Sequence, residues 1–523
     1  VFDLLIHGGT IIDGTRAPRQ VADVGINHDR IVAVGNLSAQ GGQSVINAAG
    51  RVVAPGFVDL HNHSDGWLLK TPHLTAKTMQ GFTSEVLMAD GISYAPVRPH
   101  NATEWIFYLR SLNALRQDEY RGWESLADYL NCLDQANVQN AAVHIPYANV
   151  RVNACGWGRQ KPDDYQMREI LAAIRQGMDE GAVGLSTGMD YIAQCFAGTD
   201  ELAEACTAMV PRGGLYVTHM RYKKGIMPAL REAVEIGRRA GVAVHISHLK
   251  GHDANEAEEI LGYIDKTARH EVDLSFDVYP YQPGSTMLNF LLPNEIWEDG
   301  PLTALPKLRD PAIRSRFAAG LAAYDLELDK IHIAWTLSKE NARHQGKLLS
   351  DYVAETKLPA EEALCNLLIE ERLAVLLVFN QGDDRLVHPF LKHDLYLMGT
   401  DGIYFEEGII HPRMYGSATR LLGPCVRDWK LFSLEEAVYK LSGGPAARFG
   451  LTDRGTIRIG AFADVVVFDP QTVCDRATYA DPHQYPVGIE HVVSNGVPIV
   501  RDGAPVEKLD APYPGRALRA ERV

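Results

Sequence analysis

Four histidines and an aspartate stand where apolar stretches of this chain run out. "VDLHNHSD" ends in His61-x-His63, "YVTHM" in His219, "HISHLK" in His248 and "LMGTDG" in Asp401. Alternate residues of a strand share a face, so His61 and His63 point the same way. Taken singly, a strand histidine is commonly a hydrogen-bonded core residue, and an aspartate before glycine is commonly a turn or helix cap. Five such groups at strand ends are a different matter, because imidazole and carboxylate together suit zinc or a related divalent ion. Four histidines and one aspartate exceed what one tetrahedral zinc needs if a water position stays open. Two ions follow, or one ion with spare supporting groups. "SEVLMADGIS" (84–93) adds Asp90 at the mouth of another apolar run. An unpaired buried carboxylate costs several kcal/mol, and a metal pair requires a bridging anion, which gives Asp90 a partner.

The elements that must position these groups alternate. Apolar runs such as "GFVDLH", "NAAVHIP", "AVGLSTG", "LYVTHM", "VAVHISHL" and "VDLSFDVY" are separated by helical stretches such as "DDYQMREILAAIRQGMDEG" and "GIMPALREAVEIGRRAG". That alternation implies a parallel sheet closed into a (β/α)8 TIM-like barrel of the α/β class, whose active sites form at C-terminal strand ends. Nine runs compete for eight staves, and "LAVLLVF" (373–379) is the one suspected of being surplus. The two chain ends read instead as short hairpins, with "NHD" and Asn495-Gly496 as turns. Residues 1–54 and 455–523 are expected to pair into a small β-sandwich domain and 55–454 to form the catalytic barrel. A mixed, proline-containing segment at 285–365 is expected to be a lid insertion on the catalytic face.

Composition excludes some functions. The chain of 523 residues is 46% hydrophobic and 22% charged, and its formal net charge of -15 argues against a nucleic-acid partner. No run approaches the ~18 apolar residues of a membrane span, and "VFDLLIHGGTIIDG" lacks the basic opening of a signal peptide. The seven cysteines are scattered and never form CxxC, which reads as free thiols in a reducing compartment. A cytoplasmic enzyme of small-molecule substrates is the expectation, with its oligomeric state left open.

The motifs resemble the amidohydrolase superfamily, and more closely its D-aminoacylase branch, the N-acyl-D-amino-acid deacylases. The resemblance spans nearly the whole chain: "GTIIDGT", "APGFVDLHNHSD", "GAVGLSTGMDY", "THMR", "ISHLK", "DVYPYQPGST", "GTDG", "HPRMYGS" and "RGTIRIGAFADVVVFDP". It implies the barrel with a small β domain and a lid. It assigns His61 and His63 to one metal position, His219 and His248 to the other, and makes Asp401 the catalytic acid/base and a further ligand. The branch carries a cysteine ligand, in a GNCG motif, where this chain has Met88-Ala89-Asp90-Gly91. A carboxylate there keeps zinc as first choice, one or two ions, and widens it towards manganese, cobalt or iron. A second departure is "YKKG" after "THMR", where the branch tends towards an acidic residue.

The implied reaction is hydrolysis of an amide. A bound divalent ion makes water acidic enough to act near neutral pH, and Asp401 takes a proton and returns it to the departing nitrogen. The resemblance also suggests that Tyr279, Ser285 and Arg413 hold the substrate α-carboxylate, guanidinium being suited to a two-pronged grip. Lys250 is placed beside the acyl group or side chain. "TMLNFLLP" (286–293) offers apolar residues and no cation, so neutral or hydrophobic D-residues are expected over acidic ones. The competing readings are a dipeptidase for D-amino-acid-containing dipeptides, a hydantoinase- or dihydroorotase-like cyclic-amide hydrolase, and an inactive metal-binding scaffold. The second needs a lysine on the fourth strand, and "AVGLSTG" has none.

Overall fold

A computed structural model describes residues 1–323 and 326–520. Eight parallel strands form the barrel: Phe57–Asp59, Phe82–Leu87, Asn140–Val143 with Ile145–Pro146, Gly184–Gly188, Leu215–His219, Ala243–Ile246, Leu274–Val278 and Tyr396–Met398. The ring closes between the eighth and first strands, where Leu60 N donates to Met398 O at 3.3 Å. It is continuous between the third and fourth, where Val183 N donates to Val143 O at 2.9 Å. Strands buried on both faces read as continuous apolar runs. The helices between them follow their sequence signals. Asp163 and Gln166 make a capping box at the start of Asp164–Asp179, and Gly241, at φ 71°, ends Ile226–Ala240. The barrel floor is apolar, built from Val58, Val86, Val183, Val217 and Leu397 and plugged by Phe449.

The surplus run is resolved. Val375–Phe379 lies outside the barrel, antiparallel to both Gly284–Met287 and Ile331–Thr336. The insertion therefore reaches beyond the expected 285–365, through this strand and the short helix His388–Lys392 that precedes the eighth barrel strand. Sequence pattern could not see this, because an apolar strand of an added sheet looks like a barrel stave.

Both chain ends join one nine-stranded sheet, in which Val52–Pro55 pairs parallel with Phe2–Ile11 and antiparallel with Val465–Phe468. The final segment departs from that sheet. Gly515 O accepts from Gln135 N, Arg516 O from Ala141 N and Ala141 O from Leu518 N, so the tail runs along the third barrel strand and the loop before it instead. Among the described residues no helix is long and apolar enough to cross a membrane, and the seven cysteines are free.

Candidate metal centre and substrate site

His61, His63, Asp90, His219, His248 and Asp401 converge at the C-terminal mouth of the barrel. His61 Nε2 lies 3.4 Å from Asp90 Oδ1 and 3.6 Å from Asp401 Oδ1. His63 Nε2 lies 3.3 Å from Asp401 Oδ1 and 3.6 Å from Asp90 Oδ2. On the other side of Asp90, Oδ2 is 3.8 Å from His219 Nδ1, which is itself 2.9 Å from His248 Nε2. Asp90 thus touches both histidine pairs. Three overlapping triads, His61–His63–Asp90, His61–His248–Asp401 and Asp90–His219–His248, each keep their ligand atoms within 4.8 Å of one another.

These residues fit a divalent ion on an observation independent of spacing. Nε2 of His61, Nδ1 of His63 and Oδ1 of Asp90 are buried without a hydrogen-bond partner. Each such atom costs about 1–3 kcal/mol. His61 Nε2 and Asp90 Oδ1, unpaired and 3.4 Å apart, are an imidazole nitrogen and a carboxylate oxygen of the kind that bind such a cation.

Local backbone conformation aims them. Met88, Asp90, His248 and Asp401 all have left-handed backbones, at φ 65°, 58°, 39° and 49°, each costing on the order of 1–3 kcal/mol for a non-glycine residue. Surrounding bonds hold them there. Met88 N donates to Asp65 Oδ1 at 3.0 Å, Ser186 Oγ donates to Met88 O at 2.6 Å, and Gln194 Nε2 donates to Asp90 O at 2.8 Å. Asp401 N donates to His61 O at 2.7 Å, and Asp59, paired with buried Lys77, accepts from Thr400 N at 2.9 Å. The Asp90 turn also fills the end of the fourth strand. A Cβ on Gly188 would come within 2.4 Å of Asp90 O, and one on Gly91 within 2.7 Å of Thr187 Cα. The strand itself, Gly184–Gly188, carries no lysine.

The field at the site is strongly structured. Burial opposes it, yet the carboxylates of Asp277, Asp90 and Asp401 lift His61 to about 10. Burial and the neighbouring His219 hold His248 at about 3. Asp401 stays well below the usual carboxylate range, because Arg413 and His61 outweigh its burial.

The expected carboxylate cradle is partly assembled. Arg413, at the start of helix Arg413–Arg420, is fully buried. Its Nη1 lies 3.0 Å from Asp401 Oδ2 and its guanidinium stacks 4.3 Å from the Tyr279 ring. Its Nε makes no hydrogen bond. Tyr279 OH accepts from Lys250 Nζ at 2.8 Å, which leaves the phenol proton free to donate. Lys250 is committed to protein: its ammonium also donates to Gln282 O at 2.6 Å and Pro283 O at 3.3 Å. Burial and Arg413 bring it down to about 7. It positions Tyr279 and does not face open space. Ser285 differs from expectation as well. Its hydroxyl donates to Leu377 O in the insertion sheet at 2.7 Å, and its carbonyl accepts from Arg413 Nη2 at 3.3 Å. A hydroxyl has one proton, so Ser285 steadies Arg413 through its backbone.

Of the apolar stretch 286–293, Met287, Leu288, Leu291 and Leu292 are buried core, whereas Phe290 is half-buried and lies 5.9 Å from the His219 ring. Lys223, from the unexplained "YKKG", places its ammonium 4.6 Å from the Phe290 ring. Sequence reasoning did not assign Lys223, Asp190, which lies 3.4 Å from His219 Nε2, or Asp277 and His245 beneath His61. A signal was present for Asp277: it precedes Tyr279 by two, so both point to the barrel interior.

The model of the amidohydrolase family matches residues 44–292 and 393–500. The stretch it skips falls in the insertion. The chain is 34% identical to an N-acyl-D-glutamate deacylase of Alcaligenes xylosoxydans xylosoxydans, over 99% of this chain and 97% of that one. This chain belongs to the amidohydrolase family, in its D-aminoacylase branch. Among solved structures it is similar to a D-aminoacylase studied for its binuclear metal centre, with 33% identity and a TM-score of 0.82 over 99% of this chain and 100% of that one. It is likewise similar to the N-acyl-D-glutamate deacylase of Bordetella bronchiseptica complexed with zinc and a phosphonate inhibitor. There the identity is 31% and the TM-score 0.83, over 99% of this chain and 100% of that one.

Proposed function

We propose that this amidohydrolase cleaves N-acyl-D-amino acids to a carboxylic acid and a free D-amino acid. One or two divalent ions, zinc foremost, would be held by His61, His63, Asp90, His219, His248 and Asp401. The observation that carries this reading is the 3.0 Å contact between Arg413 and Asp401. It sets an anchor for a carboxylate directly beside the acid/base, the spacing that an α-carboxylate and its own amide demand. When bound, the metal supplies a Lewis acid and an acidified water. Arg413 and Tyr279 grip the α-carboxylate and orient the amide. Asp401, ionised and facing His63 on one oxygen, accepts the proton of the attacking water and delivers it to the departing nitrogen. Hydantoins have no free α-carboxylate for Arg413, and the fourth strand, Gly184–Gly188, has no lysine to bridge two ions.

For the side chain, Phe290 and Tyr191, whose rings lie 5.4 Å apart, support neutral or hydrophobic D-residues. Lys223 favours a second reading, an acidic side chain whose stem lies on Phe290, since among the described residues its ammonium makes one long hydrogen bond, 3.4 Å to Leu292 O. Initial rates on N-acetyl-D-leucine, -methionine, -glutamate and -aspartate, their L-forms, a hydantoin and a D-containing dipeptide test both. Turnover confined to hydantoin, dipeptide or L-substrates would sink the deacylase reading. Glutamate outrunning leucine would select the acidic reading over the neutral one.

A further inference from the structure

Beneath the metal-facing cluster, a row of side chains descends through the barrel core, and its hydrogen bonds converge on Asp277. Arg448, on helix Gly443–Phe449 at the barrel floor, donates from Nε to Ser275 Oγ at 2.8 Å. A guanidinium can only donate, so Ser275 oxygen accepts and its own proton must go elsewhere. Among the described residues the acceptor in reach is His245 Nδ1, at 2.8 Å, on the neighbouring strand directly opposite. With a lone pair at Nδ1, His245 carries its proton on Nε2 and donates to Asp277 Oδ2 at 3.0 Å. An ionised carboxylate only accepts. The next group facing Asp277 Oδ2 is His61 Nδ1, at 3.4 Å the longest link, and it must therefore present a proton. The other oxygen, Oδ1, accepts from His248 N at 2.9 Å. All of Ser275, His245, Asp277 and His61 are buried.

We propose that Asp277, held by His245, Ser275 and Arg448, keeps a proton on His61 Nδ1, so that Nε2, which faces Asp90 and Asp401, is the ring nitrogen that gives up its proton to a divalent ion. These four are positioning residues. The inference rests on the ligand assignment made above. Asp277 holds one histidine of each pair, His61 by its ring and His248 by its backbone, so its loss disturbs both halves of the site. Asparagine cannot replace it: whichever way the amide turns, its NH2 meets a donor, either His248 N–H or the protons of His61 and His245. The relief is loss of the Nδ1 proton, which leaves His61 with its proton on Nε2.

The test is zinc affinity of the chelator-stripped full chain, by competition with a chromophoric chelator, together with histidine-labelled 15N spectra that report which ring nitrogen is protonated. Asp277→Asn should bind zinc about 10–100-fold more weakly and shift the His61 signals to the Nε2–H pattern. Ser275→Ala should weaken zinc binding by a smaller factor, with Ser275→Thr restoring it, while the unfolding temperature of the stripped protein follows neither. Wild-type zinc affinity in Asp277→Asn overturns the proposal. If that variant does not fold, wild-type affinity in Ser275→Ala overturns it. His61→Ala separates the layers: if it keeps all zinc at wild-type affinity, the ligand assignment itself has failed, whereas lost zinc there with normal Asp277→Asn refutes only the chain.

Discussion

The barrel mouth and the terminal sheet are built on opposite terms. In the sheet, Leu4, Ile6, Val24, Ile26, Val53, Val465 and Val467 interlock in one apolar cluster, and strand ladders consume the backbone groups. Its left-handed residues, His28, Asn495 and Asp502, sit in hairpin turns, where that conformation is what a tight turn requires. At the mouth the left-handed residues are Asp90, His248 and Asp401 themselves, and buried ring nitrogens and a carboxylate oxygen lack partners. The sheet is stable as it stands. The mouth holds strained backbone and unpaired polar atoms, a division expected where function competes with stability.

The comparison can be broken most sharply at Asp401. Asp401→Asn should cut kcat by about 10²–10⁴-fold while zinc content stays near normal; a variant with near-normal kcat would remove its acid/base role. A somewhat smaller effect is expected from acid. Burial holds His144, wedged between Leu87 O and Phe449, at about 3, against about 6.5 in the unfolded chain. A depressed pKa contributes stability that is present above about pH 6.5 and is lost as pH falls towards 3, a loss of up to several kcal/mol. Chemical unfolding across that window should show the decline, and His144→Phe should flatten it; an unchanged slope would refute the assignment. Next comes metal removal. Chelation should abolish turnover and lower the unfolding temperature, and zinc at about 100 times its Kd should restore about 2.7 kcal/mol. The smallest effect belongs to the sheet: Ile26→Val should cost about 0.5–1.5 kcal/mol in unfolding and leave kcat, KM and zinc affinity unchanged. If instead it altered zinc binding, the two regions would not be independent.

Much of this division is legible in residue order. His61-x-His63, His219, His248 and Asp401 declare themselves by ending apolar runs, and Asp90 by being a charge where none belongs. The roles of Ser285 and Lys250 did not show, because a hydroxyl or ammonium in a motif looks the same whether its protons face substrate or neighbouring carbonyls. The apolar stretch 286–293 misled for a similar reason: four of its five large apolar residues face the core, and strand pattern in an added sheet does not say which.

What the sequence determined by itself is the alternation that makes a barrel, the pairing potential of its two ends and the chemical types at the strand ends. These depend on local periodicity and on which atoms can bind a cation, and both are written residue by residue. What only the tertiary structure decided is which groups meet. Asp90 bridges both histidine pairs, "LAVLLVF" leaves the barrel, Lys223 comes to Phe290, and Asp277 orders His61. Those outcomes depend on residues tens to hundreds of positions apart sharing a few ångströms, where the proton already spent on one neighbour is no longer available to another.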